Sequence, residues 1–294
     1  MLVLLAPSCA TCGAVFQHLR AGSVCEHCWS AIQPFTPPFC DRCGDPLPSL
    51  RRRLDRLTAE ASGGKASGDD FGYWHDKNVP RVLHASAPRL DQSPPIQRPA
   101  DPGAPLVCAR CAAGRGAVDC ARAIGSYEGA LRDIIHRLKY GRRQSIAPQL
   151  GRLMRHHGAD LLAGADIAVP VPLHWSRRYW RGFNQAELLA AQLGLPVAHL
   201  LRRVRRTRPQ VDLPARERQA NVEGAFALRR RETWNGPAWL RRLVATPRAG
   251  LTVVLVDDVS TTGATLEACA RVVKHAGAKE VRVITAARVA TRRR

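Results

Sequence analysis

Val253-Val254-Leu255-Val256-Asp257-Asp258-Val259-Ser260-Thr261-Thr262-Gly263-Ala264-Thr265 is an apolar run that meets two carboxylates and then turns into a helix start. Residues 251–256 read as a central parallel strand, covered on both faces by helices. Downstream, Leu266, Cys269, Ala270 and Val273 share one helical face that ends near Gly277, and residues 281–286 form the next strand. Strand, loop, helix and strand make one βαβ crossover, the repeating unit of doubly wound sheets. The loop between them carries the chemistry. A helix N-terminus presents unpaired amides and the positive end of its dipole, which suit a phosphate dianion. Ser260, Thr261, Thr262 and Thr265 add hydroxyls, and Gly263 lets the backbone at Ala264 approach closely. Asp257 and Asp258 stand where they can accept hydrogen bonds from two vicinal ribose hydroxyls or hold a magnesium ion. Neither a nucleoside-triphosphatase loop nor a dinucleotide loop fits, because the glycine spacing of both is missing.

Upstream, the same α/β character extends back to about Ala121. Leu131, Ile134, Ile135 and Leu138 recur at helical spacing, as do Ile146, Leu150, Leu153 and Met154. Residues 167–169 form a short buried strand running into Pro170-Val171-Pro172. A further helix places Ala186, Leu189, Ala190 and Leu193 on one face, with Asn184 as its N-cap.

The first 120 residues differ in kind. Eight of the ten cysteines form Cys-x-x-Cys pairs: Cys9/Cys12, Cys25/Cys28, Cys40/Cys43 and Cys108/Cys111. Two intervening residues let both thiolates of a turn face one tetrahedral zinc ion at about 2.3 Å, and four pairs make two shells. Neighbouring pairs give the simplest partnership, although an interleaved one fits the spacing too. Cys120 and Cys269 stand apart as small apolar core residues. Between the third and fourth pairs, residues 46–105 are rich in Pro, Ser, Gly and Ala and lack apolar periodicity, the signature of a disordered insertion. The expected organisation is therefore a zinc-binding segment at 1–45, an insertion at 46–105, the second half of the zinc segment at 106–120, and an α/β domain at 121–294.

Composition sets limits. The chain has 294 residues, 45% of them hydrophobic but only 5% aromatic, so its core rests on aliphatic side chains. A formal net charge of +21, carried mostly by arginine, favours polyanionic partners such as nucleic acid or phosphorylated substrates. No apolar run approaches the roughly 20 residues of a membrane span. The apolar start is too short for a signal peptide. A cytoplasmic location is expected, where thiols stay reduced and bind metal in preference to forming disulfides.

The thirteen residues at 253–265 resemble the phosphoribosyl pyrophosphate (PRPP) motif of type I phosphoribosyltransferases. The wider chain resembles the ComF family, phosphoribosyltransferase-like proteins associated with competence for DNA uptake. The likeness rests on the CxxC start, Leu138-Lys139-Tyr140-Gly141, Val169-Pro170-Val171-Pro172-Leu173-His174, Arg181-Gly182-Phe183-Asn184-Gln185-Ala186, and Arg202-Arg203 with the residues that follow. It implies a type I phosphoribosyltransferase fold, a parallel sheet flanked by helices, behind a small zinc-binding domain. It also makes Val171, Pro172, Leu173 and His174 a pyrophosphate loop, where Xaa-Pro bonds suit a cis peptide. Arg177, Arg178 and Arg181 become candidates to clamp a pyrophosphate leaving group. Residues 202–208 with Arg216 and Arg218 resemble a hood loop that closes over the site. Two kinds of function fit. One is a binding module that holds PRPP or a phosphorylated ribose with magnesium and handles single-stranded DNA in competence, alongside competence-machinery proteins. The other is a nucleobase or amido phosphoribosyltransferase of nucleotide salvage or synthesis, displacing pyrophosphate with a nitrogen nucleophile.

Overall fold

The computed structural model describes residues 8–16, 23–47, 106–114, 116–141, 143–173, 179–205, 222–229 and 250–289. His174, Arg177, Arg178, Arg216, Arg218, residues 206–208 and all of the insertion beyond residue 47 as far as 105 lie outside them.

Four parallel strands form the central sheet. They are β1 (Cys120–Ser126), β2 (Ile167–Pro170), β5 (Thr252–Ser260) and β6 (Glu280–Arg288), in the order β1-β6-β5-β2. A separate antiparallel ribbon pairs β3 (Leu201–Arg203) with β4 (Phe226–Leu228). On one face, α3 (Gly129–Tyr140), α4 (Ala147–His157) and α6 (Gln185–Ala190) bury Ile134, Leu150 and Leu189 against Val254, Val256 and Ile284. On the other, α7 (Ala264–His275) and the β3–β4 ribbon bury Leu266, Cys269, Val273 and Phe226 against Val253, Leu255 and Val283. Apolar side chains on both faces of β5 explain its unbroken Val-Val-Leu-Val run. Short helices α1 (Glu26–Ser30), α2 (Ala109–Ala112) and α5 (Ala159–Leu162) complete the described elements.

The expected helices form where their apolar spacing places them. Leu131, Ile134, Ile135 and Leu138 are all buried in α3, and Asn184 caps α6 by accepting from the Ala186 amide at 3.1 Å. Three details differ from expectation. First, β5 does not stop at the carboxylates. Its ladder with β6 continues through Asp257 opposite Thr285 to Ser260 opposite Arg288. Second, the bonds preceding Pro170 and Pro172 are trans, and the cis bond among the described residues joins Pro37 to Pro38. Ala168 turns its backbone groups outward to residues 196–198, and Val171 turns its amide inward to Val256. Alternation therefore gives Pro170, on an edge strand, a position where no ladder donor is needed. Third, β1 was not legible as a strand, and it is here that the cysteine-rich segment docks. Pro34 bridges Gly125, the Phe35 amide donates to Ile124 O at 2.7 Å, and Trp29 and Ile32 join the core over α3 and α4. Among the described residues no helix is long and apolar enough to cross a membrane.

Candidate functional site

The two carboxylates emerge at the carboxyl end of β5, the edge where open α/β sheets receive ligands. Strand alternation sends them to opposite faces. Asp258 turns toward α3 and meets Lys139 Nζ at 2.9 Å, both groups largely buried. Burial pulls the lysine pKa down, but the facing Asp258 more than offsets this and holds it above its ordinary value. Asp257 turns toward Arg203 of β3 and Cys269 of α7, and its Oδ1 accepts from the Asp258 amide at 2.8 Å. Burial first, then the neighbouring Asp258 charge, push Asp257 up to about 7. Lys139 thus neutralises one acid, while Asp257 sits close to its titration point near neutrality.

After Ser260 the chain turns sharply into α7. Gly263 adopts φ +79°, ψ 0° as the residue preceding α7, a left-handed conformation that a side chain would disfavour. Its carbonyl accepts from the Glu267 amide at 2.8 Å, and Thr262 Oγ1 accepts from the Ala264 amide at 3.4 Å. Thr261, Thr262 and Thr265 are half-buried, whereas Ser260 and Ala264 are buried. Ser260 Oγ has no hydrogen-bond partner and lines a cavity of ≈ 240 Å³ that runs under the loop to Arg42, Cys43, Arg122 and Arg288. The loop after β2 is brought to the same edge. Val171 donates its amide to Val256 O at 2.9 Å, and its carbonyl accepts from Asn184 Nδ2 at 3.1 Å, with Pro172 and Leu173 half-buried beyond it. Arg181 lies beside this loop, donating to Gln185 Oε1 at 3.1 Å and stacking 4.9 Å over the Tyr140 ring.

The eight paired cysteines gather into two groups, Cys9/Cys12/Cys25/Cys28 and Cys40/Cys43/Cys108/Cys111, each with its four sulfurs within 4.8 Å of one another. Neighbouring pairs therefore combine, and the interleaved scheme is excluded. Sulfur separations of 3.9 Å for Cys9–Cys28, 3.6 Å for Cys12–Cys25 and 3.7 Å for Cys43–Cys108 match the roughly 3.8 Å edge of a tetrahedron with 2.3 Å Zn–S bonds. Amides of Thr11 and Cys25 point at Cys9 Sγ, and that of Cys108 at Cys40 Sγ. These donors stabilise thiolate. Burial raises the Cys9 thiol, yet its amide partners bring it down to about 6. A bond from Cys43 takes Cys40 down to about 4. Both groups fit structural zinc.

The second shell is wired into the sheet. Arg42, within the Cys40–Cys43 turn, donates to the carbonyls of Cys111 at 3.1 Å and Gly116 at 3.0 Å, and also reaches Gly114. Glu267 of α7 accepts from the Ala117 and Val118 amides, and Asp45 pairs with Arg288 of β6. Lys139, Glu267 and Arg288 are not singled out as site residues by the sequence, and Arg203 only as part of the 202–208 hood. Lysine and arginine at element ends read as solvated charge unless their acidic partner is known. For Lys139 the only signal was its place within Leu138-Lys139-Tyr140-Gly141.

Comparison with known proteins agrees with this geometry. Residues 1–59 match the double zinc ribbon domain, and residues 181–294 match the phosphoribosyl transferase domain. The chain thus joins a zinc-ribbon module to a type I phosphoribosyltransferase fold. It is 36% identical over 196 residues to the DNA utilization protein YhgH of Salmonella typhimurium (strain LT2), covering 60% of this chain and 76% of that protein. It is 31% identical over 189 residues to competence protein F of Haemophilus influenzae (strain Rd), again 60% and 76%. Competence protein ComFC of Bacillus subtilis (strain 168) is 32% identical over 111 residues, 38% and 39%. The chain belongs to the ComF family of competence and DNA-utilization proteins.

Proposed function

We propose that this protein binds the ribose and 5-phosphate of PRPP, or of a related phosphorylated ribose, at the carboxyl edge of β5, and does so in the handling of single-stranded DNA. The observation that carries the reading is one continuous feature. A buried strand carries two carboxylates near its carboxyl end, one held by Lys139, and runs on through Ser260 and left-handed Gly263 into the N-terminus of a twelve-residue helix. The amides from Thr261 to Thr265 take the phosphate, and Asp257 and Asp258 accept from the ribose hydroxyls. Magnesium fits this donor set, because a small hard cation is commonly held by one or two carboxylates with ligand phosphate oxygens and water completing its shell. When bound, it neutralises pyrophosphate charge. Val171, Pro172 and Leu173 are assigned to the pyrophosphate side with Arg181 as a cationic partner, and the same reading adds His174, Arg177 and Arg178, which lie outside the described residues. The DNA role rests on the relatives' names and on the net charge of +21.

Calorimetry with a ligand panel tests the proposal: PRPP with magnesium, each nucleobase, and single-stranded DNA. Magnesium-dependent PRPP binding together with oligonucleotide binding is expected. Turnover of PRPP with one nucleobase would instead assign the chain to salvage, and absence of PRPP binding would refute the site.

A further inference from the structure

Tyr140, Tyr179 and Trp180 are the aromatic side chains left exposed among the described residues, at 61%, 82% and 76%. In a chain with only 5% aromatic residues, this concentration is unusual, and all three adjoin Arg181. Tyr179 and Trp180 precede it directly in the chain. Its guanidinium stacks 4.9 Å over the Tyr140 ring, and its Nη2 reaches Tyr140 Oη at 3.3 Å. His136 lies against the same ring, its centroid 4.7 Å from that of Tyr140 and its plane tilted by 42°. Arg181 is also tied to Gln185, a residue only 1% exposed, so its fork is fixed before any partner arrives. The group stands at the carboxyl edge of the sheet, since Lys139, next to Tyr140, holds Asp258, and Asn184, three residues after Arg181, holds Val171.

We infer that Tyr140, Tyr179, Trp180 and Arg181 form a base-stacking surface for a single strand of nucleic acid running past the phosphoribosyl site. This rests on the reading of the chain as a DNA-handling protein and specifies where the bases lie. The chemistry selects the partner. Interleaved aromatic and guanidinium planes match nucleobase faces, which stack on them without regard to sequence. Phosphates between the bases are favoured by a chain whose formal net charge is +21. Tyrosine, tryptophan and arginine also mark protein interfaces, so that net charge is what selects a polyanionic strand over a protein. Because Arg181 is already held by Tyr140 and Gln185, ordering it on binding costs little.

Fluorescence anisotropy of a labelled oligothymidylate, titrated with the full chain over a range of salt, tests the inference. Tyr179→Ala with Trp180→Ala should weaken binding at least about ten-fold while leaving the slope of log affinity against log salt unchanged, because bases are lost and phosphate contacts are not. An abasic strand of the same length should bind wild type and the aromatic variant alike. Both aromatic side chains are exposed, so folding is retained, and calorimetry should show PRPP binding by the variant equal to wild type. Equal oligothymidylate affinity in the aromatic variant overturns the inference, as does equal wild-type affinity for abasic and normal strands. A wild type that binds PRPP but no oligonucleotide overturns it while sparing the phosphoribosyl site. One that binds oligonucleotide through these residues but no PRPP does the reverse.

Discussion

Lys139 and Asp258 meet at 2.9 Å with side chains 15% and 10% exposed, which makes each dependent on the other. Replacing Lys139 by Met strands a carboxylate in a low-dielectric setting, and breaking such a pair costs about 3 kcal/mol. Chemical denaturation should show that loss in Lys139→Met. Asp258→Asn combined with it should recover most of the stability, and a double variant no more stable than the single one would show that the pair is not coupled. His157 offers a second test at this scale. It is 6% exposed, neither ring nitrogen has a hydrogen-bond partner, and burial, then the neighbouring His156, depresses its pKa to about 4. The unfolded chain therefore binds a proton from about pH 6.5 downward while the folded chain does not. Stability from this group is complete above pH 6.5 and declines as pH falls toward 4, by about 2 kcal/mol between pH 7 and 5. His157→Leu should flatten that part of the profile, and an unchanged slope would assign the titration elsewhere.

Among the elements, those with an apolar period could be read directly. Helices α3, α4 and α7 and strand β5 each bury the side chains that their spacing marks. Strand β1 escaped because Cys-Ala-Arg-Ala-Ile-Gly-Ser has small side chains and an internal arginine, so it shows no period. Arg122 is nonetheless 4% exposed, paired with Asp160 at 2.8 Å and stacked over Phe39. Phe39 and Asp41 of the docked zinc segment help cover it, and a contact between residues 81 apart in sequence leaves no local trace. The same coupling changes what metal removal does. From sequence, chelation should loosen residues 1–45 and spare the α/β domain. With Trp29 and Ile32 in the main core and Asp45 on Arg288, loss of zinc reaches the sheet edge. Elemental analysis should find close to two zinc ions per chain. After chelation, hydrogen exchange should rise in β1 as well as around the cysteines. Protein without bound metal and with freely reactive thiols would contradict the zinc assignment, and a β1 that stays protected would contradict this coupling.

At the scale of the whole molecule, the described features proposed for the phosphoribosyl site converge on one edge of the sheet. The carboxylates of β5, the turn into α7, the loop after β2 and the Arg181 group all lie there, and the second cysteine shell backs the turn through Glu267 and Arg288. Glycine at 263 is the hinge of that arrangement. A methyl group there would meet nothing closer than Ser260 Oγ at 3.9 Å, so Gly263→Ala is penalised through its backbone alone, by roughly 1–2 kcal/mol. Its phosphate affinity should fall while the fold survives, as thermal unfolding beside a PRPP titration would reveal. Sequence alone could place the motif at this edge, but not the opposite directions of its two acids, which strand alternation decides once β5 is seen to extend to Ser260. The most direct measurement is calorimetry of PRPP with magnesium on wild type and on Asp257→Asn/Asp258→Asn. Asn keeps the shape and leaves Lys139 an acceptor, but removes the charge that offsets the metal and orders the ribose. Hydrogen bonds to charged groups contribute roughly 1.5–3 kcal/mol each, so losing two should weaken binding by about two to four orders of magnitude with the domain still folded. Equal affinity in the folded double variant, or no binding by wild type, would contradict a phosphoribosyl site at the end of β5.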